Sequence, residues 1–330
     1  MKKLLSILFA FLFLAIQAFS QNDAANKPYY AEDKIDAEIV EATKAIRLEP
    51  NNPQLYLKRA NLYRFKQDAE AVSIDVTKAI GISPNDLSVQ FTAVRLLYEL
   101  PQKCEQALAI INTAIANNPK SDEAFEWRFR VKTCLGDQVG ALDDINKAIS
   151  LNPQKNIHKH NQALLQQRLA QTDKAAENFN QLIASLEQKL KAAKDANEKE
   201  SLKRELMMIY FSRSRIFAQS KNFDAMFADL NRAVEVHPIH YAYQTRARAY
   251  KWREMYAEAV ADLTKALELN DEDAGLLMDR GEVYFLMRKF PEAIADYQQI
   301  LKINSGMERL AESRIAAAKQ KMQEDKNPQK

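Results

Sequence analysis

RARAYKWREMYAEAVADLTKALELND, residues 246–271, decides how this chain folds. Ala247 and Tyr250 stand about one helical turn apart, a small residue followed by a ring. Ala259 and Ala266 stand two turns apart, so they share one buried stripe of a second helix. The stretch closes on KALELND (265–271), and that ending recurs. It is KAIRLEP at Pro50, KAIGISP at Pro84, TAIANNP at Pro119 and KAISLNP at Pro153; after a gap come RAVEVHP at Pro238 and QILKINS at Ser305. Successive ends lie 34, 35 and 34 residues apart before the gap, then 33 and 34 after it. A fixed period of this length predicts stacked helical hairpins, none of which can bury its apolar face alone.

Working outward, the first residues are set aside from fold reasoning. Lys2 and Lys3 precede an apolar run from Leu4 to Ile16, then Ala18-Phe19-Ser20 and polar Gln21. This predicts a signal peptide over 1–20, cleaved after Ser20. The run is short for a membrane anchor, and no cysteine follows it for lipid attachment. The lean leader has a bacterial look, so the expected location is exported, periplasmic or secreted. No other stretch is apolar enough to cross a bilayer. Without Lys2 and Lys3 the 47 basic residues become 45, against 44 acidic ones, which gives no reason to expect nucleic acid or an anionic membrane as partner. Six glycines leave little material for phosphate-cradling loops.

The expected organisation is a polar linker over 21–32, a half repeat over 33–50, and hairpins at about 53–84, 88–119, 122–153, 157–184, 200–238, 240–271 and 274–305. A capping helix over 306–324 and a tail over 325–330 complete a single array. The repeating small-then-aromatic signature of the first helices is RANLY (Ala60, Tyr63), RSRIF (Ser214, Phe217), RARAY (Ala247, Tyr250) and RGEVY (Gly281, Tyr284). Second helices pair Ala107 with Ala114, Ala141 with Ala148, and Ala259 with Ala266. In these residues the chain resembles the tetratricopeptide repeat family over most of its length. The resemblance implies an all-α, right-handed solenoid of stacked hairpins with a C-terminal capping helix. The hairpin at 122–153 departs from the pattern, with Phe129 and Lys132 in the small and aromatic places, and that at 157–184 is weaker still.

Comparing the repeats exposes a second pattern. An Arg on the first helix recurs with an Asp sixteen residues on: Arg59/Asp75, Arg128/Asp144, Arg213/Asp229, Arg246/Asp262 and Arg280/Asp296. At 88–119 both places turn apolar together, as Val94 and Ile110. Charges that appear and vanish as a pair predict intra-hairpin ion pairs that fix register, in preference to a ligand-binding charge array. From Ala184 to Ala233 the ladder takes a long step of 49 residues. The intervening charged sequence has no Pro or Gly and predicts a helical arm over about 185–205, turning near Ala196, with about seven extra residues on each helix, roughly 10 Å. Leu186, Leu190 and Ala193 are expected to face Leu202, Leu206 and Ile209. Such an arm serves either as a spacer or as a partner handle.

Cys104 and Cys134 fall near the adjoining ends of two antiparallel helices, which predicts a disulfide in an oxidising compartment, with two inert thiols as the alternative. The four histidines form two pairs, His158/His160 and His237/His240. Residues two apart point about 200° away from each other on a helix, and the second pair flanks Pro238, so no metal site is expected. No catalytic motif and no cofactor motif is present. The expected role is therefore non-enzymatic: a cell-envelope scaffold or adaptor that holds a peptide segment or partner surface in a concave groove. By resemblance the groove is lined by Lys58, Asn61, Arg64, Trp127, Arg130, Arg215, Tyr241, Gln244, Arg248 and Lys251. Arg and aromatic rings favour acidic or aromatic-bearing segments. A glycan or peptidoglycan ligand held by Trp127 and Tyr241 is the alternative. The family's carboxylate clamp is not matched as a set and is not carried over.

Overall fold

The computed structural model describes residues 32–303 and 306–326. The leader at 1–20, most of the linker, Ser305 and residues 327–330 lie outside the described residues. Among those described there are sixteen α-helices, one short 3-10 turn and no strand. The chain divides into two compact units at Gln154 and Lys155.

The first unit begins with a lone helix, α1 (Glu32–Leu48). Three hairpins follow: α2 (Pro53–Phe65) with α3 (Ala69–Ile82), α4 (Leu87–Tyr98) with α5 (Cys104–Asn117), and α6 (Asp122–Cys134) with α7 (Gln138–Leu151). The second unit holds α8 (Asn156–Arg168) with α9 (Thr172–Ala192), and α10 (Ala196–Gln219) with α11 (Phe223–Val236). It continues with α12 (His240–Trp252) and α13 (Tyr256–Leu269), then α14 (Ala274–Leu286) and α15 (Phe290–Ile300), and α16 (Glu308–Lys326) packs on α15. Within each unit, every helix packs on its chain neighbours.

Most hairpins turn by one device. Gln67 stands at φ 59°, and its N–H bonds back to Arg64 O while that of Asp68 reaches Tyr63 O. This left-handed closure satisfies the last carbonyls of the first helix. The Asp68 side chain then accepts from Ala71 N and opens α3, so one residue ends one helix and starts the next. Asp137 and Asn222 do the same after Gly136 and Lys221. The α4–α5 connection is the exception, made through Leu100 and the 3-10 turn Pro101–Lys103. Second helices end on non-helical residues such as Ser83, Asn118, Asn152 and His237, each placed before a proline, which disfavours the helical conformation there.

The small residues sit where helices meet. Ala60, Ala247, Ala259 and Ala266 are fully buried. Gly281 marks the closest approach: a Cβ there would lie 2.6 Å from the Tyr297 ring, and Tyr297 is itself buried. In α6 the small place holds Phe129, which is buried. Lys132, in the aromatic place, reaches Gly140 O at 3.2 Å and Asp144 Oδ2 at 2.8 Å.

The long step is an extension of α9 and α10. α9 has 21 residues and α10 has 24, against 14 and 13 for α7 and α6. The extra length is thus about seven residues in α9 and eleven in α10, where an even division was expected. The longer helix runs back beside the end of α11, bringing Glu200 to 3.5 Å from the His237 ring. Leu186, Ala193, Leu206 and Ile209 are buried, with Leu190 and Leu202 packed against the same cluster. Residues 194–201 are exposed at the tip. The base is pinned by polar contacts: Tyr210 donates to Glu187 at 2.8 Å, and Arg232 lies 3.3 Å from the same carboxylate.

Candidate functional site: the first-helix face and the charge ladder beneath it

The five Arg/Asp positions make five bidentate pairs: Arg59 on Asp75, Arg128 on Asp144, Arg213 on Asp229, Arg246 on Asp262 and Arg280 on Asp296. In each, Nε donates to Oδ2 at 2.8–2.9 Å and Nη2 to Oδ1 at 2.5–2.7 Å. Asp75, Asp144, Asp229, Asp262 and Asp296 are all buried. The third guanidinium nitrogen reaches a residue absent from the sequence reasoning. Nη1 of Arg59 bonds Thr43, that of Arg128 bonds Asn112, that of Arg213 bonds Asn180, that of Arg246 bonds Asn231, and that of Arg280 bonds Thr264, at 2.6–3.2 Å. Each acceptor lies on the second helix of the preceding hairpin, or on α1. The ion pairs themselves lie within single hairpins, and through Nη1 each arginine also joins its hairpin to the helix before it. A signal was available, since a Thr or Asn stands sixteen residues before three of the five arginines. In the α8–α9 hairpin the same two places hold Gln162 and Asn178, joined by an amide hydrogen bond at 2.9 Å.

Hydrogen bonds to the aspartates hold the guanidinium groups of Arg59, Arg246 and Arg280 above their ordinary range. Burial raises the Asp229 carboxyl even with Arg213 bidentate upon it. Asp296 also acts on a group outside its pair. Burial first, then the charges of Glu282 and Asp296, push the Tyr297 phenol up to about 12. Desolvation of the pairs offsets much of their attraction, so they fix register more than they add stability. With no open valence they are a poor ligand array.

The groove candidates lie on first helices, which within each unit touch one another from hairpin to hairpin. Lys58 is exposed on α2, and Asn61 accepts from Arg64 at 3.0 and 3.1 Å. Arg64 pairs with Glu99, which caps the end of α4. Trp127 meets Tyr98 edge to face at 6.4 Å, and Arg130 lies over the Trp127 ring while pairing with Glu126 at 2.7 Å. In the second unit, His160 of α8 bonds Ser212 of α10 at 2.9 Å, and Phe211 meets Tyr241 of α12 at 5.7 Å. Gln244 and Arg248 both bond Asp279 of α14, at 2.8 and 2.9 Å, and Lys251 pairs with Glu282 at 2.6 Å. The acids that neutralise these cations stand mostly 31–35 residues away, one hairpin on, where sequence spacing gave no hint of them.

Arg215 differs from the other cations of this face. It is half-buried, and among the described residues its guanidinium has neither a hydrogen bond nor an acidic partner. Burial and the neighbouring Arg168 pull its pKa down. Burial, and then Arg215 itself, push the His160 imidazole down to about 4, so it is neutral at pH 7. Because Ser212 gives its proton to Met208 O at 3.0 Å, His160 must donate Nε2–H to Ser212.

The two cysteines form a disulfide between the start of α5 and the end of α6. It sits at the one hairpin that has Val94 and Ile110 in place of Arg and Asp. His158 is buried, and His237 lies beside Glu200 across the arm base. Among the described residues no cluster of three or more His, Cys, Asp or Glu could hold a metal ion, and no helix is long and apolar enough to cross a membrane.

Comparison with known proteins bears on this architecture. The family model described as tetratricopeptide repeat matches residues 240–273, which is the α12–α13 hairpin. The chain is 24% identical over 285 residues to human tetratricopeptide repeat protein 16, covering 81% of this chain and 31% of that protein. It is 23% identical over 262 residues to a DnaJ homolog subfamily C member 7 homolog of Schizosaccharomyces pombe, covering 77% of this chain and 52% of that one. The chain therefore spans about a third to a half of these relatives. Among solved structures, yeast Tom70 superposes with a TM-score of 0.60 at 15% identity, over 90% of this chain and 61% of Tom70. A tetratricopeptide repeat protein from Parabacteroides merdae gives a TM-score of 0.46 at 18% identity, over 81% of this chain and 98% of that one. The α12–α13 hairpin thus matches the tetratricopeptide repeat model, in a chain whose stacked-hairpin fold is similar to that of Tom70.

Proposed function

We propose that this chain is a non-enzymatic interaction scaffold of the bacterial cell envelope, holding a segment or surface of a partner protein on its first-helix face. One observation carries the reading: in the second unit the side chains of α8, α10, α12 and α14 meet in a continuous row from His160 to Glu282. Such a row offers regularly spaced polar and aromatic contacts to an extended chain, and its rigidity lowers the entropic cost of binding. Catalysis finds no comparable support, because the half-buried His160 faces a serine whose proton is committed to a backbone carbonyl. The glycan alternative rests on Trp127 and Tyr241, and both rings are already in contact with protein neighbours. Export is supported by the pattern of residues 2–20 and by the Cys104–Cys134 pairing, a bond that persists in oxidising compartments.

Affinity purification of the full chain from native envelope, with mass spectrometry of what it retains, tests the scaffold reading. A protein partner recovered in stoichiometric amount is expected; a chain that retains no protein would reject it. N-terminal sequencing of the native protein addresses export. The expected start is Gln21, and a cytoplasmic chain beginning at Met1 would overturn that part.

A further inference from the structure

Cations withdrawn from water are costly unless paired, and this face obeys that rule nearly throughout. Arg64 is answered by Glu99, Arg130 by Glu126, Arg248 by Asp279 and Lys251 by Glu282. Arg215, half-buried on α10, is left without an acid. The charged and titratable groups that act on it are Arg168 on α8 and Tyr241 on α12, with His160 of α8 alongside. None of these is an acid. Phe211 and Tyr241, in edge-to-face contact, stand on the same α10–α12 side of the site. A protein that builds five bidentate Arg–Asp pairs in its interior has ready means to neutralise a sixth arginine, yet supplies none here.

We propose that Arg215 and Arg168 form a seat for a carboxylate on an acidic segment of the partner protein, with Tyr241 as an adjoining wall. The inference rests on the reading of this face as a partner-binding surface. A planar guanidinium takes a carboxylate through two parallel hydrogen bonds, and partial burial strengthens that pairing. The surrounding charges select by the same logic. Arg248 and Lys251 are already neutralised, so they add no second anion site beside the first, and one acidic side chain is what this place accommodates. An anion on Arg215 also offsets the smaller of the two effects that lower the His160 pKa, burial being the larger, and so supplies a reporter inside the site.

The test uses the full chain and three end-blocked peptides of one sequence, whose central residue is Glu, Gln or phosphoserine. Binding is followed by calorimetry and by the NMR signals of Arg215 Nε–H and the His160 ring. The Glu peptide is expected to shift both signals and raise the His160 pKa, and to bind at least tenfold tighter than the Gln peptide. Arg215→Gln should abolish that preference, Arg168→Gln should weaken it, and Lys78→Gln, exposed on α3 in the first unit, should leave it intact. Glu and Gln peptides binding alike, or Arg215→Gln keeping the preference, would overturn the seat. So would a site that responds to the phosphoserine peptide and to inorganic phosphate but not to Glu. Arg215→Met separates binding from folding: losing an unpaired, half-buried charge should leave the melting temperature unchanged or raise it, and a large fall would assign Arg215 a structural role instead. Native partner retained equally by wild type and Arg215→Gln removes the seat and leaves the scaffold standing. No partner retained by either removes both.

Discussion

Ala170 stands in the turn between α8 and α9 at φ 57°, where four sibling turns place Gln67, Lys221, Glu254 and Arg288 and a fifth places Gly136. A left-handed backbone costs a residue with a Cβ about 1 kcal/mol, and glycine escapes most of that. Ala170→Gly is therefore expected to stabilise the chain by up to about 1 kcal/mol, read as a higher denaturant midpoint with unchanged slope. The second residue-scale effect belongs to His160. Its folded pKa, about 4, lies below the ordinary 6.5, so the unfolded chain takes up a proton that the folded chain refuses. The stability it contributes is complete above pH 6.5 and is lost as pH falls toward 4, by at most about 3 kcal/mol. Groups facing the ring are Ser212, Phe179 and Arg215. His160→Gln keeps a donor for Ser212 but does not titrate, so its stability should fall less steeply across that window. A parallel pH profile would show that other groups control it.

At the scale of elements, the ion pairs join helices and do so in a way the chain itself has varied. Val94 and Ile110 replace Arg and Asp in one hairpin and both are packed without charge; Gln162 and Asn178 replace them in another with an amide bond. Removing only Arg246 leaves Asp262 buried and unpaired, and strands Asn231 as well. Arg246→Val is expected to cost about 3–5 kcal/mol, and Arg246→Val with Asp262→Ile clearly less. Chemical denaturation of the two variants measures this, and equal losses would show that the pair holds the helices through packing alone. The partnership was legible because it recurs at a fixed spacing inside each hairpin, from Arg59 and Asp75 to Arg280 and Asp296. Thr43, Asn112, Asn180, Asn231 and Thr264 were harder to see, because their spacing to the arginine ranges from 15 to 33 residues as the helices or the connection between them change length.

For the molecule as a whole, repeats share stability with neighbours and little beyond them. The Cys104–Cys134 bond closes a loop of about 30 residues, for which chain entropy gives about 3.5 kcal/mol. Reducing it should lower amide protection in α4 to α7 and leave α12 to α15 as protected as before. Hydrogen exchange with and without reductant measures this, and an equal loss in both regions would mean the chain unfolds as one body. The sequence by itself determined the all-helical hairpin architecture, because period and small-residue spacing are properties of each repeat alone. It also carried the recurring Arg and Asp, since a pair sixteen residues apart is a local relation. Which groove cations remain unpaired was decided only by the tertiary structure. Glu99, Asp279 and Glu282 meet their cations because one hairpin lies on the next, and no such acid reaches Arg215. Neutralisation across a stack depends on how neighbouring hairpins superpose, and no single repeat contains that information.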